Sequence, residues 1–349
     1  MYKDEKLTNF RLIAHALQST APTTLTRSDA ISGPIVEELK DLGQFTELAY
    51  SIIPLDFAFA HMRVLAGEGF PLEGYEALCD ARLVSELRSQ NAGVLTYIAY
   101  RERENQLVVA FAGTATLTQV YYDLFANLRA YPGQKKTNVH SGFWSIYASL
   151  QPRLTQEIKD ALGKYPDVRE VVLAGHSMGG ALAYLLGMDL LGGGERVAEV
   201  VNIVTFGCPR VGDKGLLEYW WGVKGRYEEK YGVDAVREHT VRAHKDGVPA
   251  LPPLWMGYRH LCRNPLYFAH NTLFRVPESD RDFGLFNAVA PEGAEASEHP
   301  KGGHNYYNGR DMERGARRMG WLEGVLKTGE EGWVERYREK ARRWEVARR

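Results

Sequence analysis

The 349-residue chain is 44% hydrophobic and 25% charged with a formal net charge of −1, ordinary for a folded protein with a sizeable core and lacking the basic excess expected if nucleic acid or an anionic membrane were the main partner. No uninterrupted apolar run approaches the roughly 18 residues of a membrane span. Three scattered cysteines (Cys79, Cys208 and Cys262) make no disulfide framework, no N-x-S/T sequon occurs, and MYKDEKLTNF is unlike a secretory signal; together these slightly favour an intracellular protein, with a secreted chain, processed or started elsewhere, as the alternative.

Residues 1–92 read as a mostly helical part, carried by the helix-like apolar spacing of SGPIVEELKDLGQFTELAYSII and a break at Pro54. GVLTYIAY and QLVVAFAG are rich in strand formers, and the short polar link RERENQ between them predicts a hairpin. Residues 141–162 read as a long helix that Ser141 could cap. VVLA, EVVNIVTF and HTVRA are strand candidates, and ALAYLLGMDLL, apolar on nearly all sides, is a buried helix ended by Gly192, Gly193 and Gly194. This alternation predicts a mostly parallel sheet with helices on both faces, in one domain with its core at about 93–310. Residues 284–303 read as a long surface loop. Residues 311–349 read as a helical extension whose last helix carries Trp333, Tyr337 and Trp344 on one side. Packing against the body is favoured for that helix over a membrane surface, because its polar face mixes both charge signs.

Within VVLAGHSMGGALAYLL, Gly175, Ser177 and Gly179 form G-x-S-x-G. Alone the pattern is weak; an apolar strand before it and an apolar helix after it give it meaning. A sharp strand-to-helix turn lifts a serine hydroxyl off the sheet edge, and small residues on either side let the two backbones approach. The helix start brings N–H groups and a positive dipole end to the same place. Such a serine needs a base and a third group that orients the base. With this turn they follow in the order Ser, acid, His. The alternative is an ordinary turn between core elements.

Taken with LVVAFAGT, VHSGFWSIY, TFGCPRVGD, DGVPALPP and HNYY, in that order around the serine segment, the chain resembles the class 3 lipases over roughly residues 93–310. The resemblance implies an α/β-hydrolase fold and a serine carboxylic-ester hydrolase, most simply an acylglycerol lipase. It matches Ser177 to the nucleophile, Asp246 to the acid and His304, in H-x-x-Y, to the base, with His299 as runner-up. His176, inside the turn, is expected to point elsewhere. The oxyanion donors would be the backbone N–H of Met178 and, by the family's pattern, Thr114.

In related lipases the segment after Thr114 is a lid. Here Leu117, Val120, Tyr121, Leu124, Phe125 and Leu128 fall on one helical face, as a lid or as a plain core helix would require. Ala112 and Val120 stand where the family usually has Arg and often has Trp. The expected partners are a lipid or other ester substrate and peripheral contact with a lipid surface. No metal motif and no phosphate-binding glycine loop occurs, and the chemistry needs no cofactor. The rival readings are a phospholipase A1, a monoacylglycerol lipase or a feruloyl-type esterase on the same scaffold, or a non-catalytic binding or signalling protein.

Overall fold

A computed structural model describes residues 10–11, 20–113, 127–294, 299, 301–307 and 312–346. In chain order the strands are β1 (Thr20–Leu25), β2 (Ala30–Ile31), β3 (Ala81–Arg88), β4 (Leu95–Arg101), β5 (Gln106–Phe111), β6 (Leu128–Ala130), β7 (Asn138–His140), β8 (Glu170–His176), β9 (Val200–Phe206), β10 (Gly212–Asp213), β11 (Val236–Ala243), β12 (Tyr258–Arg259), β13 (Leu266–Ala269), β14 (Thr272–Arg275) and β15 (Leu285–Ala288). The main helices are α1 (Pro34–Leu48), α2 (Ser141–Lys164), α3 (Met178–Gly192), α4 (Lys214–Tyr231), α5 (Met312–Leu326) and α6 (Trp333–Val346).

The central sheet runs β2-β14-β13-β11-β9-β8-β5-β4-β3. Its middle, from β5 through β8, β9 and β11 to β13, is parallel, and its two flanks are antiparallel. Every residue of β8 is buried, which explains the apolar run from Val171 to Ala174 at its centre: both faces of the sheet are covered. Alternation along β9 shows the two layers. Asn202 donates to Glu38 of α1 on one face. Ile203 and Thr205, on the other, lie where added methyls on Gly187 and Gly180 of α3 would meet them.

The GVLTYIAY/QLVVAFAG hairpin forms as β4 and β5, closed by a turn in which Asn105 takes φ 51°. The helical expectation for 1–92 is corrected: β1, β2 and β3 are strands. ARLVSELR carries apolar residues at a helix-like spacing, yet β3 pairs along the edge on β4, with a register shift between Leu83 and Ser85. That irregularity erases the period-two signal from which a strand is read. The loop expected over 284–303 contains β15, which pairs in parallel with β1 and buries Leu285 and Phe286. α4 had no counterpart in the sequence reading. Asp213 caps it by accepting from the Leu216 N–H at 2.9 Å, and Trp220 anchors it fully buried. Helix α2 is capped by His140 rather than Ser141: the Phe143 N–H donates to His140 Nδ1 at 3.2 Å. Trp333 and Tyr337 of α6 pack on Phe57, His61 and Phe70, so this helix lies on the body. The Trp344 side chain lies outside the described residues.

Candidate active site

Strand β8 ends at His176 and α3 begins at Met178, with Ser177 between them at φ 58°, ψ −130°. A non-glycine residue held there costs about 1–3 kcal/mol, a strain that persists only where the surroundings over-determine it. The surroundings here are backbone. A methyl on Gly175 would stand 2.1 Å from the Gly179 carbonyl carbon, and one on Gly179 would stand 2.3 Å from the Phe111 oxygen. G-x-S-x-G is therefore a packing requirement: strand, helix and β5 meet with no room for a side chain at either glycine. The Ser177 N–H donates to the Phe206 carbonyl at 2.8 Å, tying the turn to β9. Gly113, two residues past the end of β5, lies so close that a methyl on it would be 3.1 Å from Ser177 Cβ.

Asp246 follows β11 and is completely buried. Its Oδ1 accepts from the Val248 N–H at 2.8 Å; its Oδ2 accepts from His304 Nδ1 at 3.0 Å and from the Tyr307 hydroxyl. Tyr307 is the tyrosine of H-x-x-Y. Its hydroxyl also accepts from the Ala243 N–H at 3.2 Å, bracing the end of β11. Burial pushes its ionisation well above the usual phenol range, and the Asp246 charge adds to the effect. The segment carrying His304 is seated by Gly302 (φ 63°), where a methyl would lie 2.0 Å from the His244 carbonyl, and by the Gly303 N–H donating to that carbonyl at 2.9 Å. Gly207, just past β9 at φ 59°, leaves room for the cluster: a methyl on it would lie 2.6 Å from Tyr307 Oη, 2.8 Å from Asp246 Oδ2 and 2.9 Å from His304 Cε1.

Ser177 and His304 line one cavity of about 170 Å³. Asp246, His304 and Ser177 thus converge from the ends of three segments, with the carboxylate behind the imidazole and the hydroxyl at the cavity. The other downstream histidines are engaged elsewhere. His299 stacks on Tyr306, His260 Nε2 pairs with the Pro249 carbonyl, and His270 Nε2 pairs with the Ala288 carbonyl. His176 corrects the expectation that it points elsewhere: its ring lies 4.4 Å from that of His304, and its Nε2 donates to the His304 carbonyl at 2.9 Å. Phe10 packs edge-on against His304 at 5.4 Å.

Met178, the first residue of α3, is buried directly after Ser177, with its N–H in the first turn of the helix. Thr114 lies outside the described residues, as do Leu117, Val120, Tyr121, Leu124 and Phe125 of the expected lid. Leu128 is described and is not helical. It lies in β6, paired opposite His140 of β7, so the apolar face assigned to one helix ends before it. A strand of only three residues left no period in the sequence to reveal this.

Sequence reasoning missed the cavity's remaining walls. Leu72, Met312, Ala316 and Met319 supply apolar surface, and Glu47 and Glu313 supply carboxylates. Tyr75 donates to Glu47, and Asn305, next to His304, donates to Glu313 at 3.2 Å. These residues belong to chain segments far from the serine, and no local pattern joins them to it. Among the described residues, no group of His, Cys, Asp and Glu could hold a metal ion, and no helix is long and apolar enough to cross a membrane.

Residues 108–256 match the family model described as Lipase (class 3). The chain is 27% identical over 252 residues to a lipase of Rhizomucor miehei, covering 70% of this chain and 64% of that protein. It is 29% identical over 182 residues to a lipase of Rhizopus niveus, covering 52% of this chain and 43% of that one. The chain therefore spans 43% to 64% of the length of these relatives. A solved triacylglycerol lipase structure, described as having a serine protease triad at its catalytic centre, superposes with a TM-score of 0.61 at 19% identity, covering 82% of this chain and 98% of that one. The likeness is one of α/β-hydrolase fold.

Proposed function

We propose that the chain, whose residues 108–256 match the class 3 lipase family model, hydrolyses carboxylic esters, acylglycerols first among them, through an acyl-serine intermediate. One observation carries the reading: the buried Asp246 accepts a hydrogen bond from His304 Nδ1, and His304 shares a cavity with the strained Ser177.

The chemistry follows from that arrangement. A carboxylate can only accept, so a neutral His304 carries its proton on Nδ1 and offers Nε2 as a base. Nε2 takes the Ser177 proton as Oγ attacks the ester carbonyl carbon and the carbonyl π electrons move onto oxygen. Collapse of the tetrahedral adduct expels the alcohol, which takes the proton back from Nε2. Water then attacks the acyl-serine by the same route and releases the acid. Asp246 supports the imidazolium in both halves. The oxyanion is assigned to the Met178 N–H at the start of α3 and to Thr114, one residue beyond Gly113, which lies against Ser177. Losing one such donor costs about 3 kcal/mol of transition-state stabilisation.

The lid reading of residues 117–125 and contact with a lipid surface belong to the same proposal. The match of residues 108–256 to the class 3 lipase model and the apolar residues of that segment support them. The relatives named as lipases support a lipid ester as the substrate class. The test is hydrolysis of p-nitrophenyl butyrate in solution and of tributyrin below and above its solubility limit, for the wild type and Ser177→Ala. The reading expects both activities in the wild type, a rate jump at the interface, and no turnover in the variant. A variant that still turns over, or a wild type inert on all of these, would overturn it.

A further inference from the structure

We infer that Tyr50 and His176 act as a positioning pair that holds the base, the serine turn and the end of β5 in register, with His176 kept as a neutral donor beneath His304. The inference rests on the ester-hydrolase reading but assigns work to residues outside its Ser, His and Asp. Tyr50, moreover, lies outside the segment matched by the family model.

The protons in this contact have a single arrangement. His176 Nε2 lies 2.9 Å from the His304 carbonyl, which can only accept, so Nε2 carries a proton. In the neutral ring Nδ1 is then an acceptor, and the Tyr50 hydroxyl, 2.8 Å away, must donate to it. Burial, and after it the neighbouring His304, hold the His176 pKa well below the ordinary 6.5. The same hydroxyl oxygen lies where a methyl on Gly113 would come within 2.0 Å of it, and that glycine lies against Ser177. One tyrosine therefore touches the strand end that leads to Thr114, the residue preceding the nucleophile and, through His176, the backbone of the base.

The charge argument gives the pair a purpose. When His304 takes the serine proton it becomes a cation, with the His176 ring centred only 4.4 Å away. A protonated His176 would oppose it and would also present an N–H to Tyr50 in place of an acceptor. Among the described residues, the titratable groups facing His176 or lining its cavity are Tyr50 and Glu47 from the α1 side, Tyr75, which donates to Glu47, His304 and Tyr307 from the segment after Gly303, and Glu313 from α5, with Ser177 adjoining. Asp246 lies behind Tyr307 and His304. Tyr50 alone among these donates to Nδ1, so its hydroxyl is what reserves that nitrogen as an acceptor.

The test is Tyr50→Phe on a soluble ester. We expect kcat to fall about 10-fold or more with KM within about two-fold, and the acid limb of the kcat profile to shift upward as His176 becomes free to protonate. The second measurement is made on inactive but folded Ser177→Ala protein: nitrogen-15 histidine spectra, with His176 expected in the Nε2–H form and not titrating between pH 7 and 5. Unchanged kcat, a fall in kcat with an unmoved pH profile, or His176 titrating near the ordinary value would each overturn the inference. If Ser177→Ala keeps its turnover, the hydrolase reading itself fails, a result distinct from any of these.

Discussion

Gly207 stands directly behind Asp246. Any side chain at 207 would put its first carbon 2.8 Å from the carboxylate Oδ2 while forcing a residue with φ 59° into left-handed backbone. The same carbon would press on Tyr307 Oη and His304 Cε1. Gly207→Ala is therefore expected to move the acid and base apart and lower kcat by about 100-fold, the cost of roughly an ångström of misplacement. Steady-state kinetics on a soluble ester check this, with far-UV circular dichroism confirming that the variant is folded.

Tyr307→Phe removes a donor from a carboxylate with no exposure to water. Two other hydrogen bonds to Asp246 remain, from Val248 and His304, so the fold should survive. The expected destabilisation is about 1–3 kcal/mol, read from urea denaturation, with a clear fall in kcat because the acid loses one of the groups that fix its position.

Arg210 supports the acid from further away. Fully buried, it donates to the carbonyls of Ala250, Pro252 and Asp282, gathering the turn after Asp246 onto the body. Burial pushes its pKa down to about 9. A lysine cannot reproduce a planar fork reaching three carbonyls. Arg210→Lys is expected to cost about 3 kcal/mol or more and to lower the melting temperature by several degrees, as calorimetry would show.

Stability should fall in mild acid, and the sign follows from buried neutral histidines. Desolvation lowers the His239 pKa from 6.5 to about 4, and its Nε2 is buried without a hydrogen-bond partner. His176 and His260 are pushed down in the same way. Below pH 6.5 the unfolded chain binds protons that the folded chain refuses. The stability present above that pH is thus lost as pH falls toward 4, by about 3 kcal/mol for His239. His239→Leu should flatten part of this slope, measured as urea midpoints at pH 7.5 and pH 5.

The sequence was most legible where one local rule dominated. The mostly apolar strands β8 and β9 and the glycine-flanked Ser177 can be read because two-sided burial and backbone contact leave little choice of residue. Asp246 and His304 could be singled out only through motifs, since nothing local shows that residues 58 positions apart share a proton. Tyr50, Met312 and Met319 were invisible for the same reason: the cavity is made by segments that meet only in three dimensions. Strand β3 was misread because edge pairing with a register shift overrode its helix-like spacing, and Leu128 was assigned to a helix although it pairs in β6.

The central claim is that Ser177 is a nucleophile made reactive by His304. Labelling with a fluorophosphonate and mapping the adduct by mass spectrometry tests it most directly. We expect a single adduct on the peptide containing Ser177, formed only by folded protein and at a rate reduced by orders of magnitude in His304→Ala. An adduct on another serine, or an undiminished labelling rate in that variant, would contradict the account.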